Sequence, residues 1–296
     1  MSNESTGAWT VLKLLEWTKK YFADAEVDQP RLCAEVLLAH TLKCQRIELY
    51  TRFDYTPSPD ELTNYRQSVK RASQHEPTAY LVGSREFYSV QFKVTKDVLI
   101  PRPETEQLVA EAEAHLKTLD RPGLMWDICT GSGCVAIATA LQVSNVTVLA
   151  SDICPQAVAV AQTNAETHSV ADRVSCGVAD LVNIPENCPD FQDRQFDVIT
   201  VNPPYVGDND PIGVSVKHEP PAALFSGPDG LNCIRKLLPQ IPQMLLPGGM
   251  FALEFGAEQH QAIIALIADI DQFDTPIILK DHQDIERTIT VRRIAQ

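Results

Sequence analysis

The sequence predicts an α/β protein built on a doubly wound, mostly parallel sheet, with a helical bundle ahead of the sheet and a β-hairpin between them. Three observations carry this. Residues 123–293 alternate β-branched apolar runs with helical stretches, the pattern of parallel strands joined by crossover helices. Residues 85–100 alternate apolar and polar positions (Phe87, Val90, Phe92, Val94, then Val98 and Ile100), as a hairpin does. Residues 8–82 read as helical throughout. A chain of 296 residues is comfortable for two domains. The changes of texture set the expected boundaries at 1–84 (helical), 85–102 (hairpin) and 103–296 (α/β).

In the helical segment, Trp9, Leu12, Leu15 and Trp17 begin an amphipathic helix, and Asp28-Gln29-Pro30 opens a second through Leu42, with Pro in its tolerated first turn. Ser58-Pro59-Asp60-Glu61 is a capping box, opening a helix that reaches about Gln74. No nucleophile, metal set or glycine loop occurs here, so the bundle reads as scaffold or as a module that recognises a partner. After the hairpin, Pro101-Arg102-Pro103-Glu104-Thr105-Glu106 leads into a helix through Leu116. Pro and acidic residues favour a helix start, and so charged an entry can also face a ligand.

Strands are then expected at 124–128, 147–151, 173–177, 196–201, 250–255, 276–280 and 288–293. Helices are expected at Gly133–Leu141, Pro155–Thr167, Leu231–Leu246 and Ala257–Ile270. The longest irregular piece, Val206–Gly230, is rich in Pro, Gly and Asp and is placed to form a lid.

Composition narrows the function. Hydrophobic residues at 44% and charged residues at 22% describe an ordinary globular protein. No apolar stretch approaches the ~20 residues that span a bilayer. Met1–Thr6 lacks a basic n-region and an apolar h-region, so no secretory signal and a cytoplasmic location are expected. The eight cysteines are scattered without a C-x-x-C pair, which favours small buried hydrophobes over disulfides or zinc ligands. His218 beside Glu219 lacks a third ligand, so no metal site is expected. The net charge of −14 lies wholly beyond residue 100, where 12 basic residues face 26 acidic ones. A surface that tracks phosphates wants the opposite sign, which argues against a nucleic-acid partner.

Two places carry chemistry. Asp127-Ile128-Cys129-Thr130-Gly131-Ser132-Gly133 follows the first strand of the sheet and opens a helix. Gly131 and Gly133 allow backbone to approach a ligand, and Asp152, at the end of the next strand, can accept hydrogen bonds from ribose hydroxyls. Asp180, after the third strand, is a candidate for the exocyclic amine of adenine, or else a solvated loop acid. No G-x-x-x-x-G-K-[ST] occurs, which excludes a P-loop; a nicotinamide enzyme stays open on these residues. The second place is Asn202-Pro203-Pro204-Tyr205, where the run Phe196–Val201 stops. Two prolines end the ladder and leave an amide, a carbonyl and an aromatic ring at the carboxyl rim of a sheet, where ligands bind in open α/β folds.

Together these residues resemble the S-adenosylmethionine-dependent methyltransferases that act on planar, amide-like nitrogens. Within that group the chain is similar to the PrmC (formerly HemK) family, the N(5)-glutamine methyltransferases of bacterial peptide chain release factors. The likeness runs nearly full length, through Glu76-Pro77, Leu99–Glu106, Glu219-Pro220, Asp229-Gly230-Leu231, Leu246–Gly249 and Lys280-Asp281. The segment Ile100-Pro101-Arg102-Pro103-Glu104-Thr105-Glu106 is the specific part; the sister enzyme for a ribosomal protein glutamine differs there.

The resemblance implies a class I (Rossmann-like) methyltransferase fold with S-adenosyl-L-methionine as cofactor. It implies Cys129, Thr130, Gly131, Ser132 and Gly133 around the methionine part, Asp152 at the ribose, Asp180 and Leu181 against adenine, and Asn202 near both cofactor and substrate. Asn202, Pro203, Pro204 and Tyr205 would be the catalytic and substrate-binding set, with release factors as the protein partner. Cys129 departs from the pattern, standing where the family usually has Gly. The alternatives are an amino-methyltransferase of DNA or RNA bases, which wants a basic groove and stacking aromatics, one acting on a ribosomal protein glutamine, and a binding module that has lost catalysis.

Overall fold

The computed structural model describes residues 8–294, and the expectation made for Met1–Thr6 lies outside them. The chain divides into two compact units: one holds the residues up to Gly83 together with Gly213–His218, the other Ser84–Ile212 and Glu219 onward.

The first unit is helical: α1 (Val11–Asp24), α2 (Pro30–Thr41), α3 (Arg46–Leu49), α4 (Pro59–Ala72) and α5 (Thr78–Val82). Its core is Val11, Leu14, Phe22, Leu37, Leu38, Leu49, Tyr65 and Val69. The capping box forms: Ser58 Oγ accepts the Glu61 N–H, and the Glu61 carboxylate accepts the Ser58 N–H at 2.7 Å. Buried Tyr65 keeps its hydroxyl satisfied by donating to Thr18 Oγ1 at 3.0 Å.

The second unit begins with an antiparallel hairpin, β1 (Ser84–Phe87) and β2 (Val90–Lys93). It is shorter than the alternation suggested. Val94, Val98 and Ile100 are buried but lie past the strands, in a segment that runs toward Pro101. A 3₁₀ turn at Pro103–Thr105 feeds α6 (Glu106–Leu116).

The sheet follows: β3 (Gly123–Ile128), α7 (Cys134–Gln142), β4 (Val146–Asp152), α8 (Pro155–Thr167), β5 (Val174–Val178), β6 (Phe196–Val201), α9 (Asn232–Leu237), α10 (Ile241–Met244), β7 (Leu245–Glu254), α11 (His260–Ala268), β8 (Ile277–Lys280) and β9 (Glu286–Arg292). The strand order is β5-β4-β3-β6-β7-β9-β8, parallel from β5 to β7, with β9 antiparallel to both of its neighbours. After β3 the chain winds outward through β4 and β5, then returns to place β6 on the other side. The switch point therefore lies between β3 and β6, where such folds bind ligands. The central strands are buried on both faces, as their largely apolar runs require, with Asp127, Asp197 and Thr200 as buried polar exceptions.

One expected helix is corrected. Leu231–Leu246 is not continuous: Pro239 and Pro242 break it into α9, a 3₁₀ turn at Leu238–Gln240 and the single turn α10. Each Pro removes an intrahelical donor and crowds the preceding turn. Leu245 and Leu246 already belong to β7, which begins five residues before the expected Met250. The eight cysteines are free thiols, but only Cys134, Cys176 and Cys188 are fully buried; the other five are partly exposed. Among the described residues no helix is long and apolar enough to cross a membrane.

Asp197 is the one acid within β6. It is buried, and its carboxylate accepts both guanidinium N–H groups of Arg121, at 3.0 and 2.5 Å, and the Leu124 N–H at 2.9 Å, so it fixes the entry to β3. Asp197→Ala leaves that backbone donor unpaired, and a loss of about 1–3 kcal/mol is expected, read as a lower urea midpoint at unchanged slope. An unchanged midpoint would mean that solvent replaces the carboxylate without cost.

Candidate active site

A cavity of about 470 Å³ opens at the carboxyl ends of β3, β4 and β6. Its walls combine the turn after β3, the end of β4, Asp180 and Leu181 after β5, and Asn202 and Pro204 after β6. Segments 97–105 and 220–227 complete it.

The turn after β3 is shaped by two glycines. Gly131 (φ +55°) and Gly133 (φ +79°) occupy the left-handed region, where a Cβ costs energy. Gly133 also lies against α8, so that a Cβ there would meet Ala161 Cβ at 3.1 Å and Ile137 Cδ1 at 2.9 Å. Around Gly131 that space is open. Gly133 is therefore the N-cap of α7 rather than its first residue, as the expected start had it. Cys129 also sits at φ +59°, a conformation that glycine holds with far less strain.

The turn is tied down by two acids. Asp127, 2% exposed, accepts the Thr130 hydroxyl at 2.6 Å and the Thr200 hydroxyl at 2.7 Å. Burial pushes its carboxyl up to about 6, against the pull of those two donors. Asp152, at the end of β4, accepts the Gly131 N–H through Oδ2 and the Cys154 N–H through Oδ1, both at 2.9 Å. Burial raises this carboxyl too, against those backbone donors. Each Asp152 oxygen keeps a second lone pair, so the acid can hold the turn and still accept from a ligand.

On the β6 side, Asn202 Nδ2 donates to Thr105 Oγ1 at 3.1 Å, while Asn202 Oδ1 is buried with no partner. A buried acceptor without a donor asks for explanation, and a ligand N–H supplies one. Pro204 lines the cavity, whereas Pro203 is buried and Tyr205 is not among its lining residues. The Tyr205 hydroxyl instead donates to Glu254 Oε1 at 3.3 Å, with the phenol raised well above its ordinary value by burial and by the nearby carboxylate. Glu254, at the end of β7, is 1% exposed. Burial pushes its carboxyl up to about 7, opposed by the hydroxyls of Thr105 and Tyr205.

The structure therefore gathers Cys129, Thr130, Gly131, Ser132, Asp152, Asp180, Leu181 and Asn202 around one cavity. Gly133 backs the turn from behind. Sequence reasoning passed over Thr105, Glu254 and Cys233. Thr105 stood inside a motif already singled out, but its register against Asn202, 97 residues away, carries no local signal. Glu254 was hidden as the last residue of an apolar strand; an acid at the end of such a run is the clue. Cys233 lines the cavity, and this neighbour together with burial raises the Cys129 thiol well above its ordinary value.

Glu219 pairs not with His218 but with Arg102, at 2.5 Å, and it accepts the Ile100 N–H at 3.1 Å. This buried carboxylate joins the two segments that complete the cavity wall. Among the described residues no cluster of three or more His, Cys, Asp or Glu could hold a metal ion.

Comparisons with known proteins point one way. Residues 13–83 match the PrmC N-terminal domain, and residues 106–219 match the methyltransferase small domain. The chain is 44% identical to the release factor glutamine methyltransferase of Rhodopirellula baltica over 252 residues, 83% of each chain. It is 37% identical to that of Geobacter sulfurreducens over 90% of each chain. A methyltransferase from Pyrococcus furiosus shares the fold, with a TM-score of 0.50 at 17% identity over 80% of this chain and all of that one.

The two glycines allow the turn to be tested by itself. Alanine at either costs about 1–2 kcal/mol for its left-handed backbone. Only Gly133→Ala adds a collision, so it should lower the thermal midpoint further than Gly131→Ala. Equal losses would mean that α8 gives way to the added methyl.

Proposed function

The chain belongs to the release factor glutamine methyltransferase family, and on that footing we propose that it transfers a methyl group from S-adenosyl-L-methionine to the side-chain nitrogen of the glutamine in the Gly-Gly-Gln motif of release factors. The observation that carries this is the unpartnered, buried Oδ1 of Asn202 at the rim of the cavity.

The residues present fit the cofactor. The glycine turn offers backbone close to a ligand, and Asp152 keeps acceptor capacity for ribose hydroxyls. We assign Asp180 and Leu181, which line the cavity, to adenine. When bound, S-adenosylmethionine supplies an electrophilic methyl on sulfonium.

An amide nitrogen is a poor nucleophile because its lone pair is delocalised into the carbonyl, and no side chain here is a strong enough base to deprotonate it first. Asn202 Oδ1 and the Pro203 carbonyl are the acceptors we assign to its two hydrogens. Gripping them turns the lone pair toward the methyl and supports the positive charge that develops on nitrogen. The two prolines keep that carbonyl on a stiff backbone. Tyr205 stands outside the cavity lining with its hydroxyl held by Glu254, so we assign it to bracing the tetrapeptide rather than to the substrate amide. The proton leaves after transfer, so no general base is needed beforehand.

We assign the grip on the body of the release factor to the helical unit. It carries an exposed aromatic face of Trp9, Trp17 and Tyr21, in which Trp17 stacks on Tyr21 at 5.0 Å.

The test is mass spectrometry of purified release factor after incubation with this protein and S-adenosylmethionine. One added methyl on the Gly-Gly-Gln glutamine is expected; a methyl elsewhere, or label appearing on nucleic acid alone, defeats the reading. Asn202→Ala should lower turnover on the order of 10²–10³-fold with the fold intact, as the loss of one oxyanion-hole donor does. Near-normal turnover would remove Asn202 from the mechanism. Cys129→Gly relieves a left-handed backbone and is expected to raise the melting temperature; a fall would show that the thiol's contact with Cys233 outweighs the strain.

A further inference from the structure

Resting on the cofactor reading above, we propose that Asn164 on α8 is a positioning residue that fixes the Ser132–Gly133 peptide of the glycine turn and so sets the affinity for the amino-acid tail of the cofactor. Asn164 is 1% exposed, on a helix face that otherwise buries Ala157, Val160, Ala161 and Ala165. An amide in such a stripe is costly unless its polar atoms are paired. Here they are paired with main chain on two sides. Asn164 Nδ2 donates to the Ser132 carbonyl at 2.8 Å and to the Lys93 carbonyl at 3.0 Å, while Oδ1 accepts the Lys93 N–H at 2.8 Å. One side chain thus joins the glycine turn to the hairpin strand β2.

The turn needs such a hold. Glycine at Gly131 and Gly133 permits the left-handed backbone but does nothing to keep it there. Each peptide therefore depends on what its ends bond. The Gly131 N–H is taken by Asp152 and the Thr130 hydroxyl by Asp127, which secures the front of the turn. The last peptide is gripped at both ends. The Gly133 N–H donates to the Thr130 carbonyl at 2.9 Å, and the Ser132 carbonyl accepts from Asn164. Of these two bonds, only the second reaches outside the turn. Ala161, three residues before Asn164 and on the same side of α8, limits Gly133 sterically, so the helix both presses on this peptide and holds it.

Between the anchors stands Ser132, which lines the cavity with its Oγ buried and unpartnered. A buried hydroxyl without a partner in the protein has its pairing left for a ligand. The direction in which it is presented follows from the peptide plane that Asn164 fixes. In the reading above the turn surrounds the methionine part of the cofactor, so the acceptor for this hydroxyl is the carboxylate of that tail. Without Asn164 the Ser132 carbonyl loses its donor, the peptide is free to tilt, and the hydroxyl loses its aim. The nucleoside end rests on Asp152, Asp180 and Leu181, apart from the three bonds of Asn164.

The experiment is titration calorimetry of the purified full chain with two unreactive probes. S-adenosylhomocysteine carries the amino-acid tail, and 5′-methylthioadenosine lacks it. Asn164→Ala should weaken S-adenosylhomocysteine about tenfold, what the loss of one hydrogen bond gives, and methylthioadenosine by less than about threefold. Asn164→Asp keeps the acceptor for the Lys93 N–H but sets a carboxylate oxygen against the two carbonyls. It should show the same split, and it carries the test if the alanine variant does not fold. In steady state both variants should raise KM for S-adenosylmethionine and leave KM for the release factor unchanged.

His168→Ala separates this role from mere docking of the hairpin. His168, the C-cap of α8, donates its ring N–H to the Gln91 carbonyl of β2 at 2.8 Å, in the same seam but away from the turn. Its loss should leave both affinities near wild type. Equal weakening of both probes by the Asn164 variants, unaltered affinity for S-adenosylhomocysteine, or the same split in His168→Ala overturns the proposal and leaves the cofactor reading in place. A wild-type protein that binds neither probe overturns the cofactor reading and the proposal with it.

Discussion

One buried carboxylate holds the two halves of the site in register. Asp127, next to last in β3, bonds Thr130 in the glycine turn through one oxygen and Thr200, two residues before Asn202, through the other. The strands it joins, β3 and β6, are neighbours only because the chain reverses its winding there. A ligand seated in the turn and a substrate held by Asn202 thus share a single reference point. The energetic cost is visible in the carboxyl itself, which burial holds at about 6 despite two hydroxyl donors.

The fold was legible where the sequence carries period and punctuation. The strand ending at Val201 and the helix at Pro155–Thr167 stand where pattern put them, because a β-branched run against Pro-Pro and a Pro-started amphipathic stretch each admit one reading. At Leu231–Leu246 the apolar pattern taken alone suggests one helix, but Pro239 and Pro242 divide it, because the missing donors outweigh the periodicity. In the site, glycines and the tetrapeptide announce themselves, since their chemistry needs particular residue types. Thr105 and Glu254 do not. Either residue is ordinary in its own segment and acquires a role only from a neighbour that the sheet brings to it.

Acidity in this protein is therefore of two kinds. The excess of carboxylates beyond residue 100 sets the net charge, and the exposed ones are matters of solvation. Besides Glu35 in the helical unit, four acids are buried among the described residues, Asp127, Asp197, Glu219 and Glu254, and each holds parts of the α/β unit together. Asp197 and Glu219 are balanced by Arg121 and Arg102. Asp127 and Glu254 are met by hydroxyls, without a hydrogen-bonded cation, and they are the two driven toward neutrality. Matched pairs build walls, and the unmatched acids stand next to the chemistry.

The Arg102–Glu219 pair has a temporal side as well. It spans 117 residues, Asn202 reaches Thr105 across 97, and Thr200 reaches Asp127 across 73. Each contact closes a long loop, whose entropy must be spent before the contact rewards it. The cavity thus cannot precede the sheet. A chain emerging from its ribosome carries the glycine turn long before it carries anything to set opposite it, and the site comes into being only when nearly the whole unit has been made.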